Sequence, residues 1–201
     1  SRFLRWMDDG EYSCTGTCFD VGIATRNSLE QFRVRGTLQA LDPNAAGNGS
    51  LMRLAPVAIL HHRDERQLRR VARDQSLTTH GSEIAADACE LWALVLTDAL
   101  KGLPRDAVLR TRDEAWSPLV KAIDAGAWRG KSRASVRSGG FVVETLAIDL
   151  AEGRHGVRPD PWHGANVELH VVTTEAGLVT LFEMLEKQFL PATNLFAWVT
   201  D

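Results

Sequence analysis

The stretch from His80 to Gly102, HGSEIAADACELWALVLTDALKG, sets the terms for the whole chain. Ile84, Ala85, Ala88, Leu91, Trp92 and Val95 recur at intervals that place them on one face of an α-helix. Ser82 stands where an N-cap belongs, and Gly102 where a helix stops. An apolar face of this length has to be covered, so the remaining sequence must supply partners for it.

The same helical period dominates elsewhere. The opening residues, SRFLRW, read as the middle of an amphipathic helix, with the expectation that the chain begins inside an element. Asp20 precedes VGIATRNSLEQF, in which Val21, Ala24, Leu29 and Phe32 fall on one side; Asp20 reads as the N-cap and Gly36 as the stop. Asp64 opens ERQLRRVARDQSL, with a narrow stripe of Leu68, Val71, Ala72 and Gln75. Shorter helices are expected in PRDAVLR and SPLVKAID, and GGFVVETLAIDLA places another apolar run behind glycines. After Glu152 the texture changes: EGRHGVRPDPWHGAN reads as loop, VELHVVTT as a short strand and EAGLVTLFEMLEKQFL as helix. The expected architecture is all-α: a multi-helix domain over residues 1–151, and a tail over residues 152–201 packed on the same core.

A chain of 201 residues suits one compact domain, and 44% apolar with 24% charged residues is an ordinary globular balance. A net charge of −3 gives no electrostatic case for nucleic acid or an anionic membrane surface. No apolar run reaches the roughly 20 residues of a membrane span. Cys14, Cys18 and Cys89 form neither an even disulfide set nor a complete metal site, which points to a reducing, cytoplasmic setting.

Familiar catalytic templates are missing: there is no Gly-x-Ser-x-Gly elbow and no His-Glu-x-x-His pair. GNGSLM lacks the third glycine of a dinucleotide fingerprint. AGAWRGKS fits a relaxed phosphate-loop pattern through Lys131 and Ser132. Trp128, however, sits where backbone must approach phosphate, and SRASVRSGG follows where an apolar helix should. Arg129, Lys131, Arg133 and Arg137 read as a solvated loop instead.

More weight falls on Gly47-Asn48-Gly49-Ser50. If Leu51 begins a helix, Ser50 and the amides before it lie at the positive end, where phosphate binds well; the same residues also make an ordinary N-cap. Asn48 can donate and accept at once, and Gly49 leaves the backbone bare. Arg53, within the apolar LMRLAPVAIL, requires an anionic or carbonyl partner. His80, behind Thr78 and Thr79, forms a second polar junction before a helix, and RSGGFVV forms a third. Three such junctions could converge on one phosphorylated ligand.

In order and spacing, the segments RFLRWMDDGEYSCTGTCFDVGIATRNSLEQF, GNGSLMRLAPVAI, ARDQSLTTHGSEIAADAC and SGGFVVETL resemble the ADP-ribosylglycohydrolase family. The resemblance is to its bacterial branch related to dinitrogenase-reductase-activating glycohydrolase, and it covers about residues 1–150. It implies an all-α fold that hydrolyses the glycosidic bond between ADP-ribose and a protein side chain or small molecule, using two magnesium or manganese ions. By the same resemblance, Asn48, Gly49 and Ser50 would line the ADP-ribose cleft, and His80 would contact the diphosphate side. Gly139, Gly140 and Phe141 would lie near the adenosine, and Asp20 near the reaction centre as its catalytic acidic group. The partner implied is ADP-ribose or an ADP-ribosylated protein.

The sequence departs from that family in its metal motifs. Neither the upstream Thr-Asp-Asp nor the Asp-x-Asp-Thr near the C-terminal end is present; Thr97-Asp98 and Thr200-Asp201 are the only Thr-Asp pairs. Hard cations need several oxygens held together. The expectation is therefore that this chain alone binds no metal and is inactive. Two other readings stand beside it: a non-catalytic ADP-ribose-binding pseudoenzyme, and a structural or interaction domain.

Overall fold

The computed structural model describes residues 1–19, 21–40, 42–131 and 139–152, the side chain of Glu152 excepted. Among them the chain forms nine helices: α1 (Arg2–Asp9), α2 (Ile23–Arg35), α3 (Gly49–Met52), α4 (Ala55–His61), α5 (Glu65–Leu77), α6 (Glu83–Leu100), α7 (Arg105–Val108), α8 (Pro118–Asp124) and α9 (Val142–Glu152). The described part is all-α, as its periodicity predicts, and the only extended pairing in it is an isolated antiparallel bridge between Gly47 and Phe141. No described helix is long and apolar enough to cross a membrane. The strand and helix expected after Glu152 lie outside the described residues.

Helix α6 is the axis of the core, with α3, α4, α5, α7, α8 and α9 packed around it. The stripe expected on it understates this. Residues 85–95 are buried on every side, including Ala86, Ala93 and Leu94, whereas Ile84 is only half-buried. A helix enclosed all round is a core element, and its polar residues must then find partners. Asp87 and Glu90 do so: Arg73 binds both, and Arg69 binds Glu90 at 2.8 Å. Leu54, Leu68, Leu91, Val120, Val142 and Leu146 fill the space between the helices with almost no exposure. Burial of each such side chain stabilises the fold by about 1.5–3 kcal/mol.

Local signals fix some of the boundaries. Asp64 caps α5 by accepting from the Gln67 amide at 3.0 Å. Gly36, at φ 70°, ends α2 in the left-handed region. Ser82 occupies the N-cap of α6, but its side chain makes no capping bond. Helix α2 corrects the sequence reading: it starts at Ile23 with Gly22 as N-cap, so Asp20 is not its cap, and its buried residues are Thr25, Ser28 and Leu29. Its partner is the polar connection after α5, where Ser28 Oγ donates to the Thr79 carbonyl at 3.0 Å. That is why a polar face is the one turned inward.

The AGAWRGKS segment is also settled by its surroundings. Helix α8 precedes it, not a strand, and Trp128 is buried with the Arg129 guanidinium 5.3 Å from its ring centre. The strand that a phosphate loop requires before it is thus missing, and Ser132 lies outside the described residues.

Candidate functional site

Three segments distant in sequence meet beside the N-terminal end of α6. The first is the turn Ala46–Gly49 leading into α3. The second is Gly139–Phe141 leading into α9. Their backbones pair around the Gly47–Phe141 bridge: the Asn48 amide donates to the Gly140 carbonyl at 2.9 Å, and the Val142 amide to the Ala46 carbonyl at 3.0 Å. The third is His80, between α5 and α6, whose imidazole lies against the turn. A Cβ on Gly49 would stand 3.1 Å from His80 Cε1, and one on Gly47 would stand 3.3 Å from His80 Nε2. Glycine at both positions gives the ring this room, and a methyl at either would press on it.

Side chains knit the junction together. Asn48 Nδ2 donates to Thr145 Oγ1 at 3.0 Å, which ties the turn to α9. Gly139 and Gly140 are exposed, while Phe141 is half-buried and packs on the core. The Ser50 hydroxyl is turned inward, away from the turn's surface. It accepts from Ser76 Oγ at 2.9 Å and from the buried Cys89 thiol at 3.5 Å. Ser50 is fully buried, so it supports the turn from beneath and offers a ligand no exposed surface. Helix α3 is only one turn long, so its dipole adds little to anion binding there.

Below the turn lies Arg53, and its guanidinium has carbonyl and hydroxyl partners, with no carboxylate among the described residues. Nε donates to Gln75 Oε1 at 2.8 Å, and Nη2 to the Gln75 carbonyl at 2.7 Å and to Thr79 Oγ1 at 2.6 Å. Phe3 of α1 covers it, with the guanidinium carbon 5.6 Å from the ring centre. Enclosure lowers its pKa to about 10. His80, 3% exposed, is pushed down to about 4 by burial first and by the Arg53 charge second, so its ring is neutral at physiological pH.

Geometry thus places Asn48, Gly49, Ser50, His80, Gly139, Gly140 and Phe141 in one neighbourhood, and Asp20 lies outside the described residues. Thr145 and Gln75 belong to the same neighbourhood and carry no local signature: the first looks like an ordinary helical threonine, and the second falls on the apolar stripe of α5.

The family model for ADP-ribosylglycohydrolase matches residues 1–167. The chain belongs to the ADP-ribosylglycohydrolase family. It is 39% identical over 152 residues to an ADP-ribosylarginine hydrolase Tri1 of Pseudomonas putida (strain GB-1), a match covering 75% of this chain and 41% of that protein. A second ADP-ribosylarginine hydrolase Tri1, from Serratia proteamaculans (strain 568), is 31% identical over 147 residues, covering 72% of this chain and 40% of that one. Among solved structures, an ADP-ribosylglycohydrolase-related protein complex superposes with a TM-score of 0.60 at 33% identity, over 67% of this chain and 47% of the other. The chain thus spans about two-fifths of the length of these curated relatives.

The resemblance implies divalent metals, and the described donor set does not fit them. No group of three or more His, Cys, Asp or Glu side chains is placed to hold an ion among the described residues. The acidic cluster of Glu83, Asp87, Glu90 and Glu114 is bound by Arg69 and Arg73. Around the glycine turn stand neutral amides, hydroxyls and an imidazole, with Glu144 against Gly139 as the one carboxylate beside them among the contacts described, and a single carboxylate falls short of the several oxygens a hard cation needs.

Proposed function

We propose that this chain supplies the ADP-ribose-holding part of an ADP-ribosylglycohydrolase whose substrate class is ADP-ribosylated arginine. The observation that carries the reading is the convergence of the Gly47–Gly49 turn, the Gly139–Phe141 segment and His80 on one spot. A diphosphate needs several N–H donors, which the turn and His80 can offer, while the Glu144 carboxylate stands on the Gly139 side of the junction. Asn48 and the backbone at Gly49 hold the phosphates and ribose with the buried Ser50 supporting the turn from beneath, His80 donates to the diphosphate, and Phe141 offers an apolar surface to the adenine from the exposed Gly139–Gly140 side. The arginine assignment comes from the names of the two Tri1 relatives. Hydrolysis needs groups near the anomeric carbon; by family resemblance Asp20 and two Mg²⁺ or Mn²⁺ ions would supply them. The described donors do not fit those ions, so the part played by the described residues is to bind and orient the ADP-ribose.

That same donor set favours a second reading for the chain by itself, an ADP-ribose reader without catalysis. The free thiols Cys14, Cys18 and Cys89 suit the reducing, cytoplasmic compartment in which either role would be played.

Calorimetric titration of ADP-ribose into the 201-residue chain, with magnesium and again with EDTA, tests both. Binding in both buffers, weakened in Asn48→Ala and His80→Ala, supports the ADP-ribose site and the reader. Binding only with magnesium rejects the reader and assigns metal ligands to this chain. No binding in either buffer rejects the ADP-ribose site. Release of ADP-ribose from an ADP-ribosylated arginine peptide by the chain with magnesium would establish catalysis in the chain itself.

A further inference from the structure

His80 has two ring nitrogens, and the one facing away from the turn is already committed. Thr79 Oγ1 lies 2.7 Å from His80 Nδ1 and 2.6 Å from Arg53 Nη2. Arg53 can only donate, so the Thr79 oxygen accepts there. Thr79 is 1% exposed, and among the described residues the hydroxyl proton has no other acceptor than Nδ1. Were Nδ1 protonated, it and Arg53 would both donate to Thr79, leaving a buried O–H without a partner. The direction of the chain is therefore Arg53 N–H to Thr79 oxygen, then Thr79 O–H to His80 Nδ1. A neutral imidazole that accepts at Nδ1 carries its proton at Nε2, and Nε2 is the nitrogen that leans on Gly47 and Gly49.

We infer that Arg53 and Thr79 are positioning residues that lock His80 as an Nε2–H donor aimed at the glycine turn, where it donates to an anionic oxygen of the bound ligand. The inference rests on the ADP-ribose reading for the identity of that ligand, but not for the tautomer. Without the lock the two neutral tautomers would compete, and the wrong one would set a lone pair against a phosphate oxygen. The burial that keeps the ring neutral acts in the same sense, since a neutral ring has a tautomer to choose. Arg53 is in turn held by both oxygens of Gln75 and covered by Phe3, so the lock is anchored on α5 and α1 and not on solvent.

The test reads the tautomer directly. In the 201-residue ¹⁵N-labelled chain at neutral pH, two-bond ¹H–¹⁵N correlations distinguish protonated from bare ring nitrogens, and the signals lost in His80→Gln identify His80. The expected result is a protonated Nε2 and a bare Nδ1 in the ligand-free protein. Thr79→Val, which keeps the shape and removes the hydroxyl, should scramble the tautomers and weaken ADP-ribose binding about tenfold, the scale of one hydrogen bond to a charged group. Thr79→Ser should restore both. A protonated Nδ1 in the wild type overturns the inference, as does a folded Thr79→Val protein with unchanged tautomer and affinity. If Thr79→Val fails to fold by circular dichroism, the wild-type spectrum still decides. The expected tautomer and its loss in Thr79→Val, in a protein that never binds ADP-ribose, would support the lock and reject the ADP-ribose reading.

Discussion

Gln75 holds Arg53 at two points, through its side-chain oxygen at 2.8 Å and its main-chain carbonyl at 2.7 Å. Its amide nitrogen meanwhile donates to the Ser50 and Ala72 carbonyls, each at 3.2 Å. One neutral side chain thus joins α3, α5 and the arginine beneath the glycine turn. Gln75→Leu keeps the bulk but removes an acceptor from a guanidinium and a donor from a buried carbonyl. The expected loss is about 2–3 kcal/mol, seen as a lower urea midpoint with unchanged slope. A midpoint within error of the wild type would show that water replaces both bonds.

How far the sequence announces this arrangement depends on the range of the interaction. The αL stop at Gly36, the Asp64 cap and the helical period of residues 83–100 are local, and each is readable from a few neighbours. The start of α2 is not, because its N-cap is Gly22, which carries no side chain to announce it, and the buried side of that helix is largely polar. The Gly47–Phe141 bridge and the Asn48–Thr145 bond join segments from opposite ends of the domain. Nothing in either segment encodes its partner. The sequence does show that Arg53 needs a carbonyl or an anion, but only packing against α5 shows that Gln75 and Thr79 answer that need.

Asp98 makes a contrast between exposed and enclosed ion pairs. It accepts from Arg110 and Arg112, each at 2.7 Å, but the Arg110 side chain is 49% exposed and the Arg112 side chain 6%. Arg110→Ala is expected to cost under about 1 kcal/mol. Asp98→Ala strips the enclosed Arg112 of its nearest counter-charge and is expected to cost about 3 kcal/mol or more. Equal costs for the two variants in chemical denaturation would refute the distinction.

Cys89 should be chemically silent in the native state. Its thiol is buried, burial raises its pKa, and it donates to the Ser50 hydroxyl. Cys14 is exposed and Cys18 half-buried. Native iodoacetamide treatment followed by peptide mass spectrometry should modify Cys14 and Cys18, with Cys89 labelled only after denaturation. Rapid native labelling of Cys89 would mean that the core under the turn opens readily.

His80 links stability to acid. Its folded pKa of about 4 lies below the ordinary histidine value of about 6.5, so the unfolded chain binds its proton first as pH falls. The neutral ring's contribution is complete above about pH 6.5 and is lost progressively on the way down to about pH 4. The maximum is about 3 kcal/mol. Urea denaturation across that interval, with His80→Gln as the reference, isolates this contribution, because the carboxylates titrate in both proteins. Parallel stability profiles for the two would show that the ring is not depressed.

Gly49→Ala separates folding from binding at the turn. As the first residue of α3, position 49 gains helix propensity from alanine, and its φ is not in the left-handed region, so the backbone has no objection. The new methyl would, however, stand 3.1 Å from His80 Cε1 and 3.3 Å from Nε2, closer than an unstrained contact. His80 cannot retreat freely, because Thr79 holds its other nitrogen. Either the ring rotates off the Thr79 hydroxyl or the turn moves away from Phe141. Both outcomes disturb the donors that face a ligand while leaving the core of α6 intact. The expectation is a melting temperature within a few degrees of the wild type, together with ADP-ribose affinity reduced about tenfold, the equivalent of one charge-assisted hydrogen bond. Unchanged affinity at unchanged stability would show that the ligand does not use the space between Gly49 and His80. A large fall in stability would instead make that contact a packing requirement of the fold.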